Sequence, residues 1–157
     1  MPKRHWLLKT EPTVFSFDDL LAAPGRTTGW DGVRNFQARN LLRDEMQEGD
    51  GALIYHSSVD PMAVVGEAQI ARAGYPDPTQ FKKGSDHHDP KAKPGSPIWF
   101  QVDVRAVAAL PHPVTLERIK VTPELRAMAL LRRGNRLSVQ PVSEKEFRCI
   151  LRLGKAG

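Results

Sequence analysis

Lys9, Thr10 and Glu11 close the first apolar segment of the chain. On an extended strand Lys9 and Glu11 share one face and Thr10 takes the other. A lysine at a strand end can donate to a base carbonyl or a phosphate, or it can pair with Glu11 at the surface. Trp30 stands among Gly29, Asp31 and Gly32. A turn buries little, so this indole either folds back as a lid on the core or offers its face to a flat ring. Stacking of that kind contributes about 1–3 kcal/mol per base in single-strand binders. Asn35, Gln37, Arg39 and Asn40 gather around a helix start. Amides pair with base edges, arginines hold phosphates, and free N–H groups at a helix start favour an anion. The competing reading is a capped, solvated helix. Tyr55, His56, Ser57 and Ser58 end a strand and suit a pocket rim, or simply a strand end. Arg118, Lys120, Arg126, Arg132, Arg133 and Arg136 crowd one stretch against Glu124 alone. Such a patch suits a polyanion backbone, with a solvated surface as the default.

Other chemistries lack their residues. No phosphate-binding Walker loop, dinucleotide fingerprint, Gly-x-Ser-x-Gly elbow or His-Glu-x-x-His zinc motif occurs in the chain. His87 and His88 lie between Asp86 and Asp89, but neighbouring residues do not share a face on a regular element. A solvated polar loop is the expected reading there, and no metal or cofactor is expected. Cys149, the single cysteine, permits no internal disulfide and reads as a buried thiol in a reducing compartment. The longest apolar runs fall short of the roughly 20 residues of a membrane helix, and the first residues resemble no secretory leader. A soluble, bacterial-type cytoplasmic protein without membrane contact, compatible with association with the nucleoid, is expected. The net charge of +5 favours polyanions only mildly.

The elements that must position these residues follow from the patterning. Residues 5–11 read as a strand stopped by Pro12, and Ser16 with Asp19 as a capping box for a short helix reaching Pro24. Residues 25–29 read as a loop and 30–35 as a turn. A helix is predicted over 35–46, burying Phe36, Leu42 and Met46. Strands are predicted at 52–56, 63–73 and 98–110, and short helices at 115–120 and 123–131. A last helix opens at Val142-Ser143-Glu144. The stretch 74–97 is too long for a plain connector and reads as a functional or mobile loop. Regular strand–helix alternation is missing. The pattern predicts an α+β fold, a small barrel or strongly curved mixed sheet with helices outside.

Several of these segments together resemble the EVE family, a branch of the PUA-like superfamily. The resemblance is carried by Trp6-Leu7-Leu8-Lys9-Thr10-Glu11-Pro12, by the run from Trp30 to Asn40, and by Gly49-Asp50 leading to Tyr55-His56-Ser57. Val65-Gly66, Trp99 with Val102-Asp103-Val104, and the run from Arg136 to Val142 continue it in register. Phe36 departs from the tyrosine expected there. The resemblance implies a single domain over residues 1–157, with a PUA-like curved mixed sheet or pseudo-barrel flanked by short helices. It also implies kinship with the YTH domains, which cage methylated adenine. What it implies about function is a module that recognises a modified nucleobase, a modified cytosine or another methylated base, in an aromatic pocket. The partner is a single-stranded or base-flipped nucleic acid, RNA or DNA. By resemblance Trp30 is the stacking wall, Lys9, Asn35 and Ser57 are hydrogen-bonding groups, Tyr55 and His56 flank them, and Pro141 and Trp99 are added, with a place in the core as the other reading of Trp99. Backbone contacts are expected from Arg34, Arg39, Lys82, Lys83, Arg132 and Arg133. Two other readings remain beside this one. A small amidohydrolase of the ASCH-like type, acting on acylated nucleosides, would use Lys9, Thr10 and Glu11, although alternation points adjacent residues apart. A nonspecific RNA-binding accessory protein would need only the basic surface.

Overall fold

The computed structural model describes residues 3–156. In chain order its elements are β1 (His5–Thr10), α1 (Phe17–Ala22), β2 (Thr27–Gly29), α2 (Phe36–Asn40), β3 (Gly51–His56) and β4 (Ala63–Pro76), then β5 (Phe100–Thr115), α3 (Leu116–Lys120), β6 (Val139–Val142) and α4 (Glu144–Ala156). The six strands form one mixed sheet in the order β2-β5-β4-β3-β1-β6. β1 runs parallel to β3, and the other pairings are antiparallel.

The run His-Trp-Leu-Leu is apolar without alternation because both faces of β1 are covered. Trp6 and Leu8 enter one core with Phe17, Leu20, Trp30 and Val104. Leu7 enters the other with Leu53, Tyr55, Phe147 and Ile150, beneath α4. Register shifts within the long β4–β5 hairpin bend the sheet between these cores. The fold is therefore α+β, a curved mixed sheet flanked by short helices. Gly66 marks a close approach between sheet and helix, since a Cβ there would stand 2.4 Å from the Phe17 ring of α1.

The Ser16–Asp19 capping box forms as expected. Four local expectations give way to tertiary contacts. Residues 27–29, expected in a loop, form β2 by pairing with Arg105, Val104 and Asp103 of β5. Residues 139–142, which the family resemblance places in a final loop, form a strand at the sheet edge, where Pro141 costs no ladder bond on its open side. The helix predicted over 35–46 is α2 followed by a π-helical turn, Leu41–Glu45, so Ala38, Leu42 and Met46 face the core at a spacing of four. Phe36 then falls on the far side, 59% exposed. Residues 123–131 make two 3-10 turns, Pro123–Leu125 and Ala129–Leu131, which still bury Leu125 and Met128.

The stretch 77–99 is held by buried polar side chains. Gln80 donates to the carbonyls of Asp77 and Trp99 at 2.8 and 2.7 Å and accepts from the amides of Ile98 and Trp99 at 2.9 Å. The Trp99 indole N–H donates to Asp89 at 2.8 Å. No helix among the described residues is long and apolar enough to cross a membrane.

At the start of β1, the buried Asp50 carboxylate accepts from the Trp6 indole at 2.9 Å, the Arg4 amide at 3.1 Å and the Gln47 amide at 2.9 Å. Asp50→Ala strands these donors and is expected to lower unfolding free energy by roughly 2–4 kcal/mol. Urea denaturation checks this, with the midpoint falling at an unchanged m-value.

Candidate functional site

β2 ends at Gly29, and the Trp30 amide continues the ladder by donating to the Val102 carbonyl at 2.8 Å. This places Trp30 at the edge of the first core, 7% exposed, with Phe15 meeting its ring edge-on at 6.1 Å. The chain then turns through Gly32, whose φ of +79° suits glycine and whose missing Cβ leaves room for the His87 ring. The Gly32 amide donates to Asp77 at 2.8 Å. Arg34 spends its N–H groups on the same segment: on Asp77 at 3.0 Å, Thr79 at 3.1 Å, and the carbonyls of His87 and Val33. The Asp77 side chain is fully buried. Burial pushes its carboxyl up, but the hydrogen bonds from Thr79, Gly32 and Arg34 more than offset this and hold it below the usual carboxylate range.

A cavity of about 560 Å³ opens beside Trp30, within the common range for small-molecule sites. Its apolar side is Trp30 with Phe15, Val14 and Val33. Its polar groups include Lys9, Glu11, Thr28, Asp31 and Ser138. Lys9 is held at the cavity by its amide, which donates to the Ser138 carbonyl at 2.8 Å. Its ammonium makes no hydrogen bond or ion pair among the described residues and lies 6.0 Å from the centre of the Tyr55 ring. Burial lowers the Lys9 pKa from its ordinary value. Asp31 is accessible at the cavity, yet desolvation there, with the Asp77 charge behind it, pushes its carboxyl up; His87 and Arg34 oppose the rise.

Lys9, Thr10 and Glu11 all border this cavity, while the side chains of Lys9 and Thr10 keep the alternation of the strand, the Lys9 ammonium toward Tyr55 and the Thr10 hydroxyl toward Phe15. β1 ends at Thr10, so alternation no longer governs Glu11. The Thr10 hydroxyl donates to the Phe15 carbonyl at 2.7 Å.

The residues expected in one pocket are distributed over several environments. Lys9 and Trp30 line the cavity together. Asn35 caps α2, its side chain accepting from the Ala38 amide at 3.0 Å, and with Pro141 it lines a second cavity. Tyr55 is buried in the core on the other face of the sheet, where burial raises its phenol. His56 accepts from the Phe17 amide at 3.1 Å, and the Ser57 amide donates to the Thr10 carbonyl. Trp99 is buried beneath Phe36, whose ring stacks on it at 4.8 Å, with the Arg34 guanidinium 5.3 Å from the ring. Arg34 and Arg39 are committed to the protein, Arg39 through the Ile98 carbonyl at 2.9 Å. Lys82 and Lys83 are exposed past the turn at Pro78–Phe81, and Arg132 and Arg133 stand at the second cavity. Among the described residues no group of three or more His, Cys, Asp or Glu side chains could hold a metal. Phe15, Asp31, His87 and Ser138 were not selected from sequence. Asp31 adjoins Trp30 and was the one with a visible signal; the others reach the cavity from remote segments.

Residues 4–153 match the EVE domain family. The chain belongs to that family. This EVE domain is 40% identical to human thymocyte nuclear protein 1 over 95% of the chain and 73% of that relative. Its fold superposes on the crystal structure of the human THYN1 protein in complex with 5-methylcytosine-containing DNA, with a TM-score of 0.91, 38% identity and 99% of each chain covered. A hypothetical protein from Leishmania major is similar at 44% identity and a TM-score of 0.91, covering 98% of this chain and 95% of that one.

His56 links β3 to α1 of the EVE domain through a neutral nitrogen, and burial lowers its pKa. The unfolded imidazole titrates near about 6.5, so below that pH the unfolded chain binds the extra proton first. The contribution of His56 is complete above the unfolded value and is lost as pH falls through the folded one. Wild type is expected to lose more stability between about pH 7.5 and about pH 5.5 than His56→Gln, which keeps an acceptor without titrating. Urea midpoints at the two pH values check the difference; parallel losses would contradict it.

Proposed function

We propose that this EVE domain reads a modified cytosine by drawing one unstacked nucleotide into the Trp30 cavity. The observation that carries the reading is a cavity large enough for a nucleobase that Trp30, Lys9 and Asp31 line together, with a partly desolvated Lys9 ammonium that has no partner among the described residues. The 5-methylcytosine-containing DNA bound by the human THYN1 protein supports the same base class.

The chemistry of discrimination follows from the rim. A base inside a duplex is hidden by stacking, so the ligand is single-stranded or flipped. A methyl group filling an apolar gap contributes only about 1–3 kcal/mol. Thymine carries the same methyl group as 5-methylcytosine, so the methyl cannot separate the two. The exocyclic amine of cytosine does, because it needs an acceptor where thymine presents a carbonyl. Asp31 supplies that acceptor, and Lys9 donates to the ring carbonyl or nitrogen. A carboxyl can accept through its carbonyl oxygen in either protonation state.

One observation favours a second reading, hydrolysis of acylated nucleosides: Lys9, Thr10 and Glu11 share the cavity. Incubation with an acylated cytidine tests it, and turnover abolished by Lys9→Met would favour the hydrolase.

The binding test uses short single-stranded DNA and RNA carrying cytosine, 5-methylcytosine or thymine at one position. Because Trp30 belongs to the core, Trp30→Ala would cost about 3–5 kcal/mol of stability, so Trp30→Phe is the better probe of stacking. Wild type is expected to prefer 5-methylcytosine over both competitors. Lys9→Met should weaken that binding roughly 10–100-fold, the worth of a hydrogen bond from a charged group. Asp31→Asn should narrow the preference over thymine. Equal affinity for all three bases in wild type would sink the proposal.

A further inference from the structure

A second cavity of about 570 Å³ is lined in part by residues next in the chain to residues of the first. Arg132, Arg133 and Arg136 line one side of it, and Asn35, Gln37 and Pro141 stand among the remaining residues. Residues adjacent in the chain line the two cavities at two places. Arg34 lines the first and Asn35 the second; Ser138 lines the first and Leu137 the second. Consecutive Cα atoms lie about 3.8 Å apart, so the two cavities draw on neighbouring backbone at both places.

The charge of the second cavity is uncompensated. No aspartate or glutamate lines it. Arg132, Arg133 and Arg136 form no ion pair and no side-chain hydrogen bond among the described residues. Arg4, Arg34, Arg43, Arg148 and Arg152, by contrast, each pair with a carboxylate. The turn carrying the three arginines is nevertheless fixed. The Asn135 side chain donates to the Ala129 carbonyl at 2.8 Å and accepts from the Leu137 amide at 3.1 Å. Three clustered cations on a fixed turn repel one another until an anion neutralises them. Guanidinium is also the side chain best shaped for a phosphate. Across the cavity, the Gln37 side chain has no hydrogen-bond partner among the described residues, and the Asn35 amide nitrogen has none either.

We propose that the second cavity holds the nucleotide flanking the extruded base, with Arg132, Arg133 and Arg136 on its phosphates and the amides of Asn35 and Gln37 toward its base. This rests on the base-reading proposal above and adds a partner to it: the ligand is a stretch of strand, not a lone nucleoside. The first cavity supplies base identity, and the second supplies most of the salt-dependent affinity and a preference for the neighbouring base.

The test compares wild type with the triple variant R132Q/R133Q/R136Q, using 5-methyl-2′-deoxycytidine and single-stranded oligonucleotides with and without the modified base, over a range of salt concentrations. The three side chains are exposed, and circular dichroism of the variant verifies its fold. The expected result is unchanged nucleoside affinity, with oligonucleotide affinity reduced on the order of 10–100-fold at low salt. The slope of log K against log salt should fall by roughly 2, at about 0.7 per phosphate contact on a single strand. Gln37→Ala should alter the preference for the flanking base alone. An unchanged oligonucleotide slope in the triple variant overturns the proposal, as does an equal loss for nucleoside and oligonucleotide. If wild type shows no preference for the modified base, the base-reading proposal fails by itself, and the slope on unmodified strands still decides the role of the arginines.

Discussion

The buried Asp77 carboxylate is the constraint on which the site depends. It accepts from the Gly32 amide, the Arg34 guanidinium and the Thr79 amide and hydroxyl, and so ties the turn after Trp30 to the segment after β4. A fully buried carboxylate left with fewer donors would carry a large desolvation cost. The two irregular segments are thus obliged to remain together. Each is irregular, and the bonds of Asp77 and Arg34 bind one to the other.

This arrangement explains how a tryptophan can be both core and wall. One side of Trp30 is packed among Phe15, Val33 and neighbouring core residues, while the cavity lies against the remainder. In the proposed reading, a stacking surface that is already immobile would lose little entropy when a base settles on it, which is the advantage of preorganisation. Lys9 is fixed by a different device, the end of β1 and its bond to Ser138. The two groups come from opposite ends of the sheet order, one beside β5 and one on β1. The curvature of the sheet brings them to one opening.

The arginines divide by the same logic. Arg34 and Arg39 lie in the most recognisable segment of the chain, and the structure spends both on internal carbonyls and, for Arg34, a carboxylate. Arg132, Arg133 and Arg136 lie in a stretch with little pattern and have no internal partner among the described residues. A basic residue near a pocket is therefore informative only once its hydrogen bonds are counted.

Much of the fold was legible in the sequence because it rests on local signals. The Ser16–Asp19 capping box, the double-sided apolar run of β1 and the long β5 all announce themselves. The short β2 and β6 were not legible, since three or four residues carry no periodicity and exist as strands only through partners far along the chain. Lys9 and Trp30, singled out by residue type, line one cavity. Which other side chains share that cavity was not legible. Tyr55 packs in the second core and does not line that cavity, while His87 arrives from a remote loop. Sequence determined the repertoire of groups and the strands that carry them. Tertiary structure decided which groups meet, because that depends on sheet curvature and on where buried polar atoms find their partners.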